Sequence, residues 1–162
     1  MGYERECNLC TFLLGYLDKI AADIPEEALG KRTGDGGNPP GWILGHLASV
    51  SDFALRLLGQ APRLPKPWHQ QFSPGSPPAP DATYPPKQEL LAAVQGGYRA
   101  AVDAARTADP AAHGDAHGLG MLDGTPIRTK ADLISHLLTT HLATHTGQLS
   151  YWRRCAGHKP LL

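Results

Sequence analysis

Apolar residues recur at steps of three and four along four long stretches of the chain. In the first stretch, for example, Leu9, Leu13 and Leu17 fall on one side of a helix. This period is typical of amphipathic helices, whose apolar side packs on a core. Clusters of glycine and proline separate the stretches. The pattern predicts four helices, within residues 4–29, 38–59, 84–105 and 129–157.

The residues at the starts of these stretches support the predicted helices. Asn38 precedes two prolines, so it is the expected N-cap of the second helix, with proline in the first turn. Thr129 and Asp132 have the spacing of a capping box, with aspartate in place of glutamate. The segment 60–83 contains seven prolines and is predicted to be a long connection or a flap over one end of the helices.

No stretch alternates strictly between apolar and polar residues, as a half-buried strand would. Four amphipathic helices bury their apolar faces best against one another. The predicted fold class is therefore all-α, a four-helix bundle with long Pro/Gly-rich connections. A length of 162 residues fits a single domain spanning residues 1–162.

Composition narrows the classes of function. The chain has 15 Lys and Arg residues and 15 Asp and Glu residues, so its net charge is zero. It lacks the basic patch that would suggest binding to nucleic acid. No apolar run reaches the roughly 18–20 residues of a membrane span. The N-terminus lacks the basic-then-apolar order of a signal peptide. We expect a cytoplasmic protein whose partner is a small-molecule substrate.

Three cysteines leave no even set for a disulfide framework. Cys7 and Cys10 match half of a zinc ribbon, but the second CxxC is missing. We expect both to pack on a helix as small apolar residues do.

Three of the eight histidines lie on predicted core-facing positions. His141 and His145 are four residues apart, which lets two imidazoles on one helix face converge on one metal ion. His46 lies on the apolar face of the second helix, where a leucine would be expected. Three protein ligands with one open position are typical of catalytic zinc. The alternative is that the three histidines are separately hydrogen-bonded residues.

The other histidines fit a metal site less well. His136 is five residues before His141 and, in a regular α-helix, would face about 140° away from it. His113 and His117 have ligand-like spacing, but they lie in a glycine-rich stretch that predicts a loop. His69 and His158 are also expected in a loop or the tail. No carboxylate lies beside His141 and His145 on their helix face, which argues against a di-iron site.

Two motifs resemble a known family. The segment NPPGWILGHL at residues 38–47 is similar to the helix-2 motif of the DinB/YfiT-like superfamily, and HLATHTGQL at residues 141–149 is similar to its helix-4 motif. The residue before the first helix-4 histidine is often asparagine in the family, and here it is Thr140. The resemblance covers the whole chain in the order and spacing of its helices.

The resemblance implies a four-helix bundle, one divalent metal ion per chain (zinc or nickel) and a homodimer. It implies His46, His141 and His145 as ligands. Family members include S-transferases that use bacillithiol-type thiols, mycothiol-dependent isomerases and proteins described as metal-dependent hydrolases.

We therefore expect a metal-dependent thiol S-transferase that acts on small electrophiles, with a low-molecular-weight thiol as co-substrate. Gln148 lies on the ligand face and is a candidate to orient a ligand or substrate; filling a buried polar gap is the alternative. Two alternatives remain for the whole protein. One is a hydrolase that uses metal-bound water, and the other is a non-catalytic module that binds a metal or ligand.

Overall fold

The computed structural model describes residues 2–34, 36–78 and 83–161. These residues form α1 (Glu4–Ala22), α2 (Pro40–Leu57), α3 (Lys66–Phe72), α4 (Lys87–Thr107), α5 (Lys130–His136) and α6 (Leu142–Cys155). A π-helical turn, Leu137–His141, joins α5 to α6 without a break. The bundle thus consists of α1, α2, α4 and the continuous α5–α6 segment. The predicted all-α fold is confirmed, with no strand in the described ranges.

The chain packs around α2, which is buried along nearly its whole length. It contacts α4, α6 and α3, while α1 packs between α4 and α6. Cys7 and Cys10 are fully buried in α1, as expected, and burial raises the pKa of Cys10 to about 12. None of the described helices has both the length and the apolarity that a bilayer crossing needs.

Close helix contacts explain several glycines. A Cβ on Gly97 of α4 would lie 2.0 Å from Ser51 Oγ of α2, so glycine lets these two helices approach. On the other side of α2, a Cβ at Gly41 would meet the Tyr84 ring at 2.5 Å. A Cβ at Gly45 would meet the Phe72 ring at the same distance. Small residues on α2 thus create room for two aromatic rings.

Two predicted helix ends differ from the structure. The first helix ends at Ala22, and a 3₁₀ turn, Glu26–Ala28, follows Pro25. Proline disfavours helical backbone in the residue before it and lacks an amide hydrogen. The same effect places the N-cap of α2 at Pro39, which is extended, rather than at Asn38. By contrast, the capping box of Thr129 and Asp132 is present at the start of α5.

The proline-rich connection contains a helix that the sequence reading missed. Residues 60–83 were expected to form a long connection or a flap over one end of the helices, with no helix assigned to them, and α3 lies within them. Residues 79–82 fall outside the described ranges. Pro67 sits in the first turn of α3, where a missing amide hydrogen costs nothing. The backbone amides of Arg63 and Leu64 donate to the buried Asp52 carboxylate, which fixes the connection on α2. Residues 63–72 are therefore anchored on α2 through the Asp52 carboxylate and the buried Phe72 ring.

Candidate metal centre

His46, His141 and His145 meet at one point between α2 and the α5–α6 segment. One ring nitrogen of each lies within 4.8 Å of the corresponding nitrogen of the other two. The Nε2 atoms of His46 and His141 are 3.3 Å apart. Among the described residues, no other group of three or more histidine, cysteine or acidic side chains converges in this way. The structure therefore brings together the three histidines that the sequence selected from eight.

Two of these imidazoles have a fixed tautomer. His46 Nδ1 donates to the Phe72 carbonyl at 2.8 Å, and His145 Nδ1 donates to Gln148 Oε1 at 2.9 Å. In each ring Nε2 therefore keeps a free lone pair. His141 differs, because its Nδ1 is buried without a hydrogen-bond partner. Hydrogen bonds from the outer nitrogen are the usual way in which proteins orient imidazole ligands.

Burial keeps the three imidazoles neutral. It lowers the pKa of His141 to about 3, with a further contribution from the neighbouring histidines, and lowers the pKa of His145 to about 4. The pKa of His46 is also lowered by burial, against a smaller opposite effect of its bond to Phe72. Neutral imidazole is the form that binds metal ions, so the cluster needs no deprotonation near neutral pH.

Aromatic packing holds His46 in place. The Trp42 ring stacks on it with centroids 4.8 Å apart and planes 8° apart. Tyr98 and Trp152 are buried in the core. The Trp152 indole donates to the Lys31 carbonyl, which ties the end of α6 to the segment before α2.

His136 lies beside the cluster, contrary to the expectation that it would face away. Its ring centroid is 5.6 Å from that of His141, with the rings nearly perpendicular. The expectation assumed a regular α-helix, whereas the π-helical turn between the two residues contains one additional residue per turn. His136 Nδ1 contacts Thr140 Oγ1 at 2.6 Å. The His136 nitrogens are not part of the three-histidine group.

The remaining histidines serve other contacts. His117 lies in a loop, as predicted, where Nε2 donates to the Ile127 carbonyl and Nδ1 accepts from the Leu119 amide. His113 contacts the Asp109 carbonyl at 3.1 Å. His158 lies 4.0 Å from the Asp23 carboxylate. His69 was expected in a loop but lies on α3, where its ring contacts Ser49 and Asp52.

The sequence reading also passed over Asp52. This carboxylate is fully buried on α2 yet does not join the three histidines. The available signal was an acidic residue in a helix whose other positions are mainly apolar, because a buried carboxylate requires hydrogen-bond partners.

A family model independently matches the chain. No curated protein sequence matches at a significant level. The model of the DinB superfamily matches residues 13–149, a range that includes all three clustered histidines, the whole of α2 and the first part of α6. With the helical architecture and the two sequence motifs, this match shows that the chain belongs to the DinB superfamily.

Proposed function

We propose that the chain binds one divalent metal ion through His46, His141 and His145. The observation that carries the proposal is the convergence of three neutral imidazoles in a bundle packed mainly by apolar side chains. Imidazoles in such surroundings are costly unless their nitrogens find partners. A metal ion would satisfy the three inner nitrogens together. Zinc and nickel both accept imidazole ligands.

The spacing of one pair of donor atoms supports the proposal. With metal–nitrogen bonds of about 2.0–2.1 Å, two ligands of a tetrahedral ion lie about 3.3 Å apart. The Nε2 atoms of His46 and His141 are separated by 3.3 Å. Three ligands would leave a fourth position for a substrate or water.

For the chemistry, we propose thiol S-transfer to a small electrophile. A divalent ion held by three imidazoles supplies a Lewis acid that lowers the pKa of a bound thiol or water. Around it, His46 and His145 would be held by Phe72 and Gln148, and the Trp42 ring would shield one face of His46 from water. A thiol needs no further base once its proton is lost. The family resemblance supports the choice of a bacillithiol-type thiol.

One observation favours a second candidate, hydrolysis by metal-bound water. A hydrolase gains from a base beside the reacting water. His136 lies next to the cluster and is not one of the three proposed metal ligands. Its pKa is lowered by partial burial, so it is a neutral base at neutral pH.

Metal analysis tests the shared core of both candidates. Purified protein loaded with zinc or nickel and then desalted should retain about one ion per chain by elemental mass spectrometry. His46→Ala and His145→Ala should each lose tight binding, because two imidazoles rarely suffice. His113→Ala removes a histidine outside the cluster and is the matched control. Stoichiometric metal in either cluster variant would refute the ligand set.

Turnover then separates the two candidates. Metal-loaded protein would be incubated with small electrophiles and bacillithiol, mycothiol or glutathione. We expect thiol-dependent consumption of the electrophile, which His145→Ala abolishes. If the electrophile is instead consumed without any thiol, and His136→Ala slows that reaction, the protein is a hydrolase and not a transferase.

A further inference from the structure

A cavity of about 650 Å³ lies beside α2, on a side that the three-histidine cluster does not line. Its walls come from α2, from α3 and the two residues after it, and from residues 118–121 of the loop before α5. Val50, Phe53, Leu119 and Met121 provide apolar surface. Arg56 and Lys66 are the two cationic side chains among the residues that line it. This size and lining suit a small, mainly apolar ligand, and the two cations can stabilise negative charge that forms on it during a reaction.

Two polar side chains in the wall of this cavity and a carboxylate behind them form a hydrogen-bonded chain. Ser49 Oγ lies 3.1 Å from His69 Nδ1, and His69 Nε2 lies 3.2 Å from Asp52 Oδ2. Ser49 and His69 line the cavity, while Asp52 is fully buried behind them. Because a carboxylate only accepts, Nε2 carries the ring proton and Nδ1 is free to accept from the serine hydroxyl.

The contact between Ser49 and His69 is unusual for a serine within a helix. Such hydroxyls commonly donate back to a carbonyl of the preceding turn. Ser51 does so to the Ala48 carbonyl, and Thr146 does so to the Leu142 carbonyl. The hydroxyl of Ser49 contacts His69 instead. Asp52 is needed to hold the amides of Arg63 and Leu64, but that role does not require Ser49.

The arrangement matches the roles of a nucleophile, a base and an orienting carboxylate. The ring nitrogens are exchanged relative to the usual serine-hydrolase triad, in which Nε2 faces the serine and Nδ1 the aspartate. Both nitrogens of imidazole can act as the base, so the exchange preserves the chemistry.

We propose that Ser49 accepts an acyl group from a small carboxylic ester bound in this cavity. The hydroxyl proton passes to His69 Nδ1 as Oγ forms a bond to the acyl carbon. The bond to the alcohol oxygen breaks, and His69 returns the proton to that oxygen. Water then cleaves the acyl-serine with the same base, so that ester plus water gives acid plus alcohol. Arg56 and Lys66 line the same cavity and are the candidates to stabilise the oxyanion, and Asp52 is a positioning residue.

Acylation by p-nitrophenyl acetate and p-nitrophenyl butyrate tests this proposal. The full chain should release one equivalent of p-nitrophenol per chain in a fast phase, and acid quenching followed by peptide mass mapping should place the acyl group on Ser49. Ser49→Ala should lose this phase. His69→Gln should slow it by about 100-fold or more, the usual contribution of a general base.

Two controls separate this site from general reactivity and from the metal centre. Ser51→Ala changes a buried serine of the same helix that does not line the cavity, and it should acylate like the wild type. Chelator-treated protein should also keep the full amplitude of the fast phase, because metal-bound water plays no part in the acylation. Acylation confined to lysines, or an unchanged rate in Ser49→Ala with its fold intact by circular dichroism, would overturn the proposal. Loss of the fast phase when the metal is removed would also overturn the proposal.

Discussion

The hydrogen bond between His145 and Gln148 decides which nitrogen of His145 faces the cluster. Gln148 Oε1 accepts from Nδ1, and the two residues are three apart on α6, within one turn. The sequence placed Gln148 on the ligand face and left open whether it would orient a ligand or fill a polar gap. In the structure its partner is the imidazole itself, and Gln148 is exposed, so it does not fill a buried gap.

Replacing this acceptor should weaken metal binding. We expect Gln148→Leu to lower the affinity about 10–100-fold, because His145 Nδ1 loses the partner that orients the ring. Gln148→Glu is the matched control, since it keeps an acceptor at the same position and should retain affinity. Competition with a chromophoric chelator measures both. An unchanged affinity in Gln148→Leu would mean that packing alone orients His145.

Residue spacing predicted the three-histidine cluster because the two helices that carry it are regular in the relevant places. His141 ends the π-helical turn and His145 lies in the first turn of α6, so the four-residue spacing between them falls beyond the irregular part. His46 occupies a position whose neighbours on that face are apolar. The contact of Ser49 and Asp52 with His69 could not be read in this way. It depends on where the α3 segment folds back on α2, and no periodicity encodes that position.

At the scale of elements, the apolar period predicted the four bundle helices but not the two departures from it. The helix α3 has seven residues, too few for a helical period to stand out among prolines. The π-helical turn leaves both flanking helices regular and changes only their relative rotation. The direction of the His136 side chain could therefore not be predicted from a regular helix with 100° per residue.

The glycine at position 45 should be essential for the packing of α3. A Cβ there would lie 2.5 Å from the Phe72 ring, so alanine would push α3 away from α2. Since the Phe72 carbonyl accepts from His46, we expect Gly45→Ala to weaken metal binding as well as to lower the free energy of unfolding by about 1–3 kcal/mol. Urea denaturation and metal titration measure the two effects.

Gly15→Ala provides the comparison for this prediction. Gly15 is also in a helix, but nothing lies within 4 Å of a Cβ built there. Alanine at this position should stabilise the protein by up to about 1 kcal/mol through its higher helix propensity. If both variants had the same stability and metal affinity, close packing at Gly45 would not be what positions α3.

At the scale of the whole molecule, the cluster joins parts of the chain that are far apart in sequence. His46 and His141 are 95 residues apart, and they lie on two of the four bundle helices. An ion held by both would link α2 to the α5–α6 segment in the folded state only. Metal binding should therefore stabilise the fold as well as prepare the site.

Thermal unfolding checks this link. At a free metal concentration 1,000 times Kd, the folded state should gain about 4 kcal/mol. For a chain of this length that corresponds to a rise in Tm of roughly 10 °C. A chelator should reverse the rise, and His46→Ala should show none. An equal rise in His46→Ala would place the stabilising ion elsewhere on the protein.

The short helix α3 contacts both proposed sites at once. Its Phe72 carbonyl holds His46, and its His69 ring forms part of the cavity wall. A ligand that shifts α3 as it enters the cavity would change the affinity of the cluster for its ion. Thermodynamic reciprocity then requires the ion to change the affinity for that ligand by the same factor. Seven residues in a proline-rich segment would in that case act as the coupling element of the molecule.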